Sequence, residues 1–140
     1  MSAEPLSAEE TARLREAFER VPYAHLLGIE IVKLERGDAL LSMRARPELT
    51  RMEGILHGGA LASLMDTASA FAVLTTLETG TQTVTVDLTI HFLRPVTQGL
   101  VEARARVLRA GRRIVTVSIE AINAESKTVA TALTTYLKTV

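Results

Sequence analysis

From Thr83 to Leu93 apolar and polar residues alternate without a break. Val84, Val86, Leu88, Ile90 and Phe92 fall on one side, and Thr83, Thr85, Asp87, Thr89 and His91 on the other. A period of two is that of a β-strand with unlike faces. The alternation returns over Val101 to Leu108, after Pro95 and Gly99 have broken the run. Ile114 to Ile122 and Thr128 to Leu137 read as two further strands. Ala110-Gly111-Arg112 supplies a hairpin turn between Val101–Leu108 and Ile114–Ile122, and Asn123-Ala124-Glu125-Ser126 joins the last two strands. Upstream, Ile29 to Glu35 and Ala39 to Ala45 flank the turn signal Arg36-Gly37-Asp38.

Two stretches carry a helical period instead. Ser7 to Arg20 is amphipathic, with Ser7 and Glu10 at capping-box spacing and Pro22 ending it. His25-Leu26-Leu27-Gly28 reads as a short helical turn before the first strand, and Pro47 to Leu56 as a loop. Gly58 to about Leu77 is the long helix. Leu61, Leu64, Met65, Ala68 and Ala72 keep helical spacing, while Ala62, Ala70, Phe71, Val73 and Leu74 occupy the opposite side. A helix apolar nearly all round is buried on most sides. Consecutive strands with short turns pair antiparallel. The pattern therefore predicts an α+β fold: one long central helix wrapped by a curved antiparallel sheet of about six strands.

Length keeps the whole chain, 1–140, within one domain, with residues 1–25 as an amino-terminal helical segment. Formal net charge is zero, so nothing favours nucleic acid or an anionic membrane. The absence of cysteine excludes disulfides, a thiolate nucleophile and cysteine-bound metal. Met1-Ser2-Ala3-Glu4-Pro5 has neither a basic nor an apolar signal region, and Asp66 with several hydroxyl residues interrupts the most apolar stretch. The expectation is a soluble cytoplasmic protein. His25, His57 and His91 lack metal-ligand spacing, so no metal site is expected.

The candidate chemistry sits in His57-Gly58-Gly59-Ala60-Leu61-Ala62-Ser63-Leu64-Met65-Asp66. Asp66 is the only charge between His57 and Glu78. Glycines at a helix start let a ligand approach backbone N–H groups that have no intrahelical partner. An acid within an apolar helix costs free energy unless it is paired or used. Each residue also has a plainer reading: Asp66 as a brace for a loop, His57 as a helix cap, and Gly58 and Gly59 as aids to close packing. By the same standard Thr85 is an ordinary strand threonine. Asp66 lies eight residues beyond Gly58, about 12 Å along a helix axis. A carboxylate that far away does not reach a carbonyl held at Gly58 of the same helix. If Gly58 and Asp66 serve one bound group, the spacing implies a homodimer with antiparallel central helices, in which Gly58 of one subunit meets Asp66 of another.

Gly54-Ile55-Leu56-His57-Gly58-Gly59 with Asp66, Val86-Asp87-Leu88-Thr89-Ile90-His91-Phe92-Leu93-Arg94-Pro95 and Ala110-Gly111-Arg112-Arg113 together resemble the hotdog-fold acyl-CoA thioesterases of the phenylacetate-pathway (PaaI) type. The likeness runs from about Leu26 to Leu137. It implies hydrolysis of an acyl-CoA thioester, aryl or medium-chain, without a cofactor. It also implies assembly as a dimer or a dimer of dimers. By the same resemblance the Gly58 N–H polarises the thioester carbonyl, and Asp66 acts as nucleophile or as general base on water. His57 helps arrange the site and Thr85 assists from the next strand. Gly59, Arg51, Arg112 and Arg113 are candidate substrate contacts, the arginines suiting the phosphates of coenzyme A. Many relatives carry asparagine six residues before the motif histidine, where this chain has Arg51. Either that role is lost, or the loop from Glu48 to Glu53 differs, or the arginine serves another acyl group. The alternatives are a non-catalytic acyl-CoA-binding module and a dimeric scaffold whose site has decayed.

Overall fold

The computed structural model describes residues 4–139; Met1 to Ala3, part of the stretch read for a signal sequence, lie outside them. In chain order the elements are α1 (Ala8–Glu19), α2 (Pro22–Leu27), β1 (Glu30–Glu35), β2 (Asp38–Arg44), α3 (Gly58–Leu74), β3 (Gln82–Phe92), β4 (Leu100–Ala110), β5 (Ile114–Ile122) and β6 (Thr128–Thr139). The six strands form one antiparallel sheet in the order β1-β2-β4-β5-β6-β3. α3 packs on one face of it, the hotdog arrangement.

The reason lies in the strand alternation. Leu41 and Met43 of β2, Val101, Ala103 and Ala105 of β4, and Val115, Val117 and Ile119 of β5 all point to the helix side and are buried. Small alanines in the middle of this face let α3 lie close, and Leu64, Met65 and Ala68 complete the core with no exposed surface. Burying one such large side chain stabilises the fold by about 2 kcal/mol. α3 stops at Leu74, short of the expected Leu77. Thr75 and Thr76 turn their hydroxyls back to the carbonyls of Ala72 and Val73 at 2.6 and 2.7 Å, bonding that competes with a further helical turn.

Two expectations change. Pro22 does not merely end α1; it opens α2 as its first residue, where a missing N–H is harmless. Consecutive pairing holds for β1–β2, β4–β5 and β5–β6, but β3 crosses the sheet to pair with β6. β3 also carries a bulge at Val86, since Thr85 lies opposite Tyr136 while Asp87 lies opposite Thr135. The bulge reverses the alternation. Thr85, Leu88 and Ile90 face Tyr136, Thr134 and Ala132, all buried on the helix side. Val84 and Val86 are left exposed, at 51% and 58%. Thr85 thus shares the inner face with Leu88, not the outer one with Asp87.

Candidate functional site

At the start of α3, His57 occupies the cap position in extended backbone geometry, φ −63° and ψ 134°. Its Nδ1 accepts the Gly59 N–H at 2.8 Å. That bond fixes Nδ1 as the acceptor nitrogen. It also explains the second glycine, because a side chain there would stand 3.0 Å from the ring. The Gly59 N–H is thereby committed to the cap. The Gly58 N–H has no acceptor among the described residues. It is the donor presented at the positive end of the helix.

The preceding segment, expected as a loop, contains two 3₁₀ turns, Pro47–Leu49 and Met52–Gly54. Glu53 and Gly54 take φ of 70° and 72°, consecutive left-handed residues that swing the chain sharply toward His57. Arg51 is exposed on this segment. It lines a cleft of about 300 Å³ together with Gly58, Leu61, Phe92 and Arg94. Phe92 lies over Gly58, its ring 3.4 Å from where a side chain would begin.

Asp66 is half-buried on the face of α3 that meets the β3–β6 pair. Oδ1 accepts the Tyr136 hydroxyl at 2.9 Å and the Thr85 hydroxyl at 3.3 Å. Tyr136 also lies 3.0 Å from the Asp66 carbonyl and 2.9 Å from the Ser69 hydroxyl. Burial, followed by the nearby Asp66 charge, holds the Tyr136 hydroxyl well above its usual ionisation range. Among the described residues Oδ2 has no hydrogen-bond partner.

Asp66 and Thr85 therefore meet, and His57, Gly58 and Arg51 gather at the other end of the same helix segment. Arg112 and Arg113 belong to neither group. They lie at the β4–β5 turn, beside the carboxyl end of α3, in an open cleft of about 870 Å³ that includes Lys138. Arg104 and Arg106 of the same basic stretch are occupied by Asp38, at 2.9 and 3.5 Å. Among the described residues no group of three His, Cys, Asp or Glu is placed to hold a metal. Among the same residues no helix is long and apolar enough to cross a membrane.

Sequence reasoning missed Phe92 and Tyr136. The alternation hinted at Phe92, an inward-facing aromatic close to Arg94-Pro95. Tyr136 gave a fainter signal, as a phenol on a strand of aliphatic and threonine residues.

The profile of the Thioesterase superfamily matches residues 53–130, a span that contains His57, Gly58, Asp66 and Thr85 and leaves Arg51 and Tyr136 outside it. Acyl-coenzyme A thioesterase PaaI of Escherichia coli is 35% identical over 114 residues, 81% of this chain and 79% of that protein. The medium/long-chain acyl-CoA thioesterase YigI of Escherichia coli is 29% identical over 132 residues, covering 84% and 85%. The solved structure of the E. coli PaaI protein superposes with a TM-score of 0.88 at 30% identity, over 95% of this chain and 96% of that one.

Proposed function

Because the chain belongs to the Thioesterase superfamily and is a thioester hydrolase of the hotdog fold, we propose that it cleaves acyl-CoA thioesters to a carboxylate and free coenzyme A. The observation that carries this reading is the half-exposed Asp66 carboxylate, tethered at one oxygen and open at the other. Two of the relatives bear acyl-CoA thioesterase in their names.

In the water route Asp66 takes a proton as the water oxygen bonds to the carbonyl carbon. Charge develops on the carbonyl oxygen, where the Gly58 N–H donates to it. One donor of this kind is worth about 3 kcal/mol in a transition state. The C–S bond then breaks, and the thiolate of coenzyme A recovers the proton from Asp66. In the covalent route a carboxylate oxygen of Asp66 bonds to the carbon first and the C–S bond breaks, releasing the thiolate of coenzyme A; water then opens the resulting anhydride, restoring the Asp66 carboxylate, and the proton released goes to the thiolate.

Gly58 and Asp66 stand on one straight helix, about 12 Å apart along its axis. Both routes therefore join the Gly58 of one protomer to the Asp66 of another, across antiparallel copies of α3. The long edge strand β3, with Val84, Val86 and Phe92 exposed, supports such a dimer. In it the carboxyl end of α3, with Arg112 and Arg113, comes toward the partner's Gly58. Those arginines and Arg51 then suit the nucleotide phosphates of coenzyme A.

The test is thiol release from a panel of aryl- and alkyl-CoA thioesters by wild type and Asp66→Asn. The chain has no cysteine to contribute background. Wild type turns over, and the variant loses about 100-fold or more in kcat/KM. Binding without cleavage would replace the enzyme by an acyl-CoA-binding module. A single turnover in ¹⁸O-labelled water that leaves label in the Asp66 carboxylate identifies the covalent route, with the anhydride opened at the Asp66 carbon.

A further inference from the structure

Tyr136 is 2% exposed, projecting from β6 toward the middle of α3. Its hydroxyl has three oxygen neighbours and one proton to give. Ser69, itself with no exposed surface, sits between the Asp66 carbonyl at 2.8 Å and the phenol oxygen at 2.9 Å. Ser69 gives its one proton to the Asp66 carbonyl, and its oxygen rests against the phenol. Of the acceptors within reach of the phenol proton, Oδ1 makes the strongest bond, because it belongs to a charged carboxylate. Thr85 brings its hydroxyl to the same Oδ1, and neither hydroxyl reaches Oδ2.

We propose that Tyr136 is a positioning residue for Asp66. The chain Ser69–Tyr136–Oδ1 sets the rotation of the carboxylate, so that Oδ2 is the oxygen that meets water or the thioester carbon. A carboxylate turns freely about its last side-chain bond, whose torsional wells are broad. Anchoring one oxygen removes that freedom before substrate arrives, which is the form in which orientation contributes to rate. Burial keeps the phenol protonated through the ordinary pH range, so the anchor remains a donor. The role rests on the hydrolase reading, and the experiment keeps the two apart.

Tyr136→Phe removes the hydroxyl alone. The ¹³C signal of the Asp66 carboxyl, assigned with Asp66→Asn, is recorded at neutral pH in wild type and in Tyr136→Phe. The kcat and KM of each are measured on the best acyl-CoA of the panel. Loss of the donor moves the carboxyl signal. On that substrate kcat falls about 10- to 100-fold with KM nearly unchanged. If Tyr136→Phe does not fold, Ser69→Ala provides the same readings, with kcat several-fold lower. A purely structural phenol would lower the melting temperature and leave the carboxyl signal and kcat in place, which overturns the proposal. A moved signal with unaltered kcat overturns it as well. A wild type inert on the whole panel overturns the hydrolase reading and with it any part for Tyr136 in a rate, whatever the carboxyl signal shows.

Discussion

At the amino terminus of α3 an imidazole occupies the place where a serine or aspartate more often caps a helix. The geometry gives His57 one task, to hold the Gly59 N–H so that the neighbouring Gly58 N–H remains the donor on offer. His57→Ala is expected to cost about 1 kcal/mol, the value of a lost cap. His57→Asn keeps an acceptor there and recovers most of that stability. Thermal unfolding measures the first effect. Rates separate capping from proton transfer, because an acid–base role would make alanine and asparagine lose alike, by about 100-fold or more. The expected result is that asparagine stays within several-fold of wild type. The motif was legible at this scale, since glycines after a histidine mark a helix start. Tyr136 was not legible, because its meaning depends on a carboxylate seventy positions away in sequence.

Among the elements, α1 is held by two devices of different kinds. Phe18 packs its ring against Phe71 of α3 at 5.4 Å, edge to face. Arg36, in the turn between β1 and β2, bonds both oxygens of Glu10 at 2.9 Å and the Thr75 carbonyl at 3.0 Å. The Arg36 guanidinium, with help from the Ser7 N–H, lowers the Glu10 carboxyl to about 2. A carboxyl depressed in the folded state stabilises it above the ordinary carboxylate range. That stabilisation is lost as pH falls toward about 2. Protection of the α1 amides against hydrogen exchange should therefore decline over that interval. Glu10→Gln should show weaker protection at neutral pH and a smaller decline. The capping box was readable from Ser7 and Glu10, and both of its bonds are present. The Arg36 clasp was not readable, since it joins a turn to two helices that periodicity treats separately. The bulge at Val86 escaped for a related reason. No glycine or proline marks it, and an unbroken alternation conceals the reversal.

For the molecule as a whole, the sequence displayed the strands but not their order. Period-two patterns say which residues share a face and nothing about which strands are neighbours, so β3 beside β6 emerged only from the fold. The proposed dimer, by contrast, rests on helix rise and on Gly58 and Asp66 serving one site, and it predicts complementation. Gly58→Pro removes the donor N–H at a first helical position that accepts proline, preceded by an extended residue that tolerates one. Neither Gly58→Pro nor Asp66→Asn should turn over alone. Unfolded together and refolded, they should recover about a quarter of wild-type activity, because half of the dimers are mixed and each carries one intact site. No recovery would place both groups of a site in one chain.

The chain contains no tryptophan and two tyrosines. Tyr23 is 53% exposed and shares a hydrogen bond with Ser63, while Tyr136 is enclosed and bound to Asp66. Of the two phenol chromophores that dominate the near-ultraviolet spectrum, one therefore touches the candidate carboxylate. The protein carries its own optical probe there, and a change in charge at Asp66 would be written into the light absorbed by Tyr136 without any label.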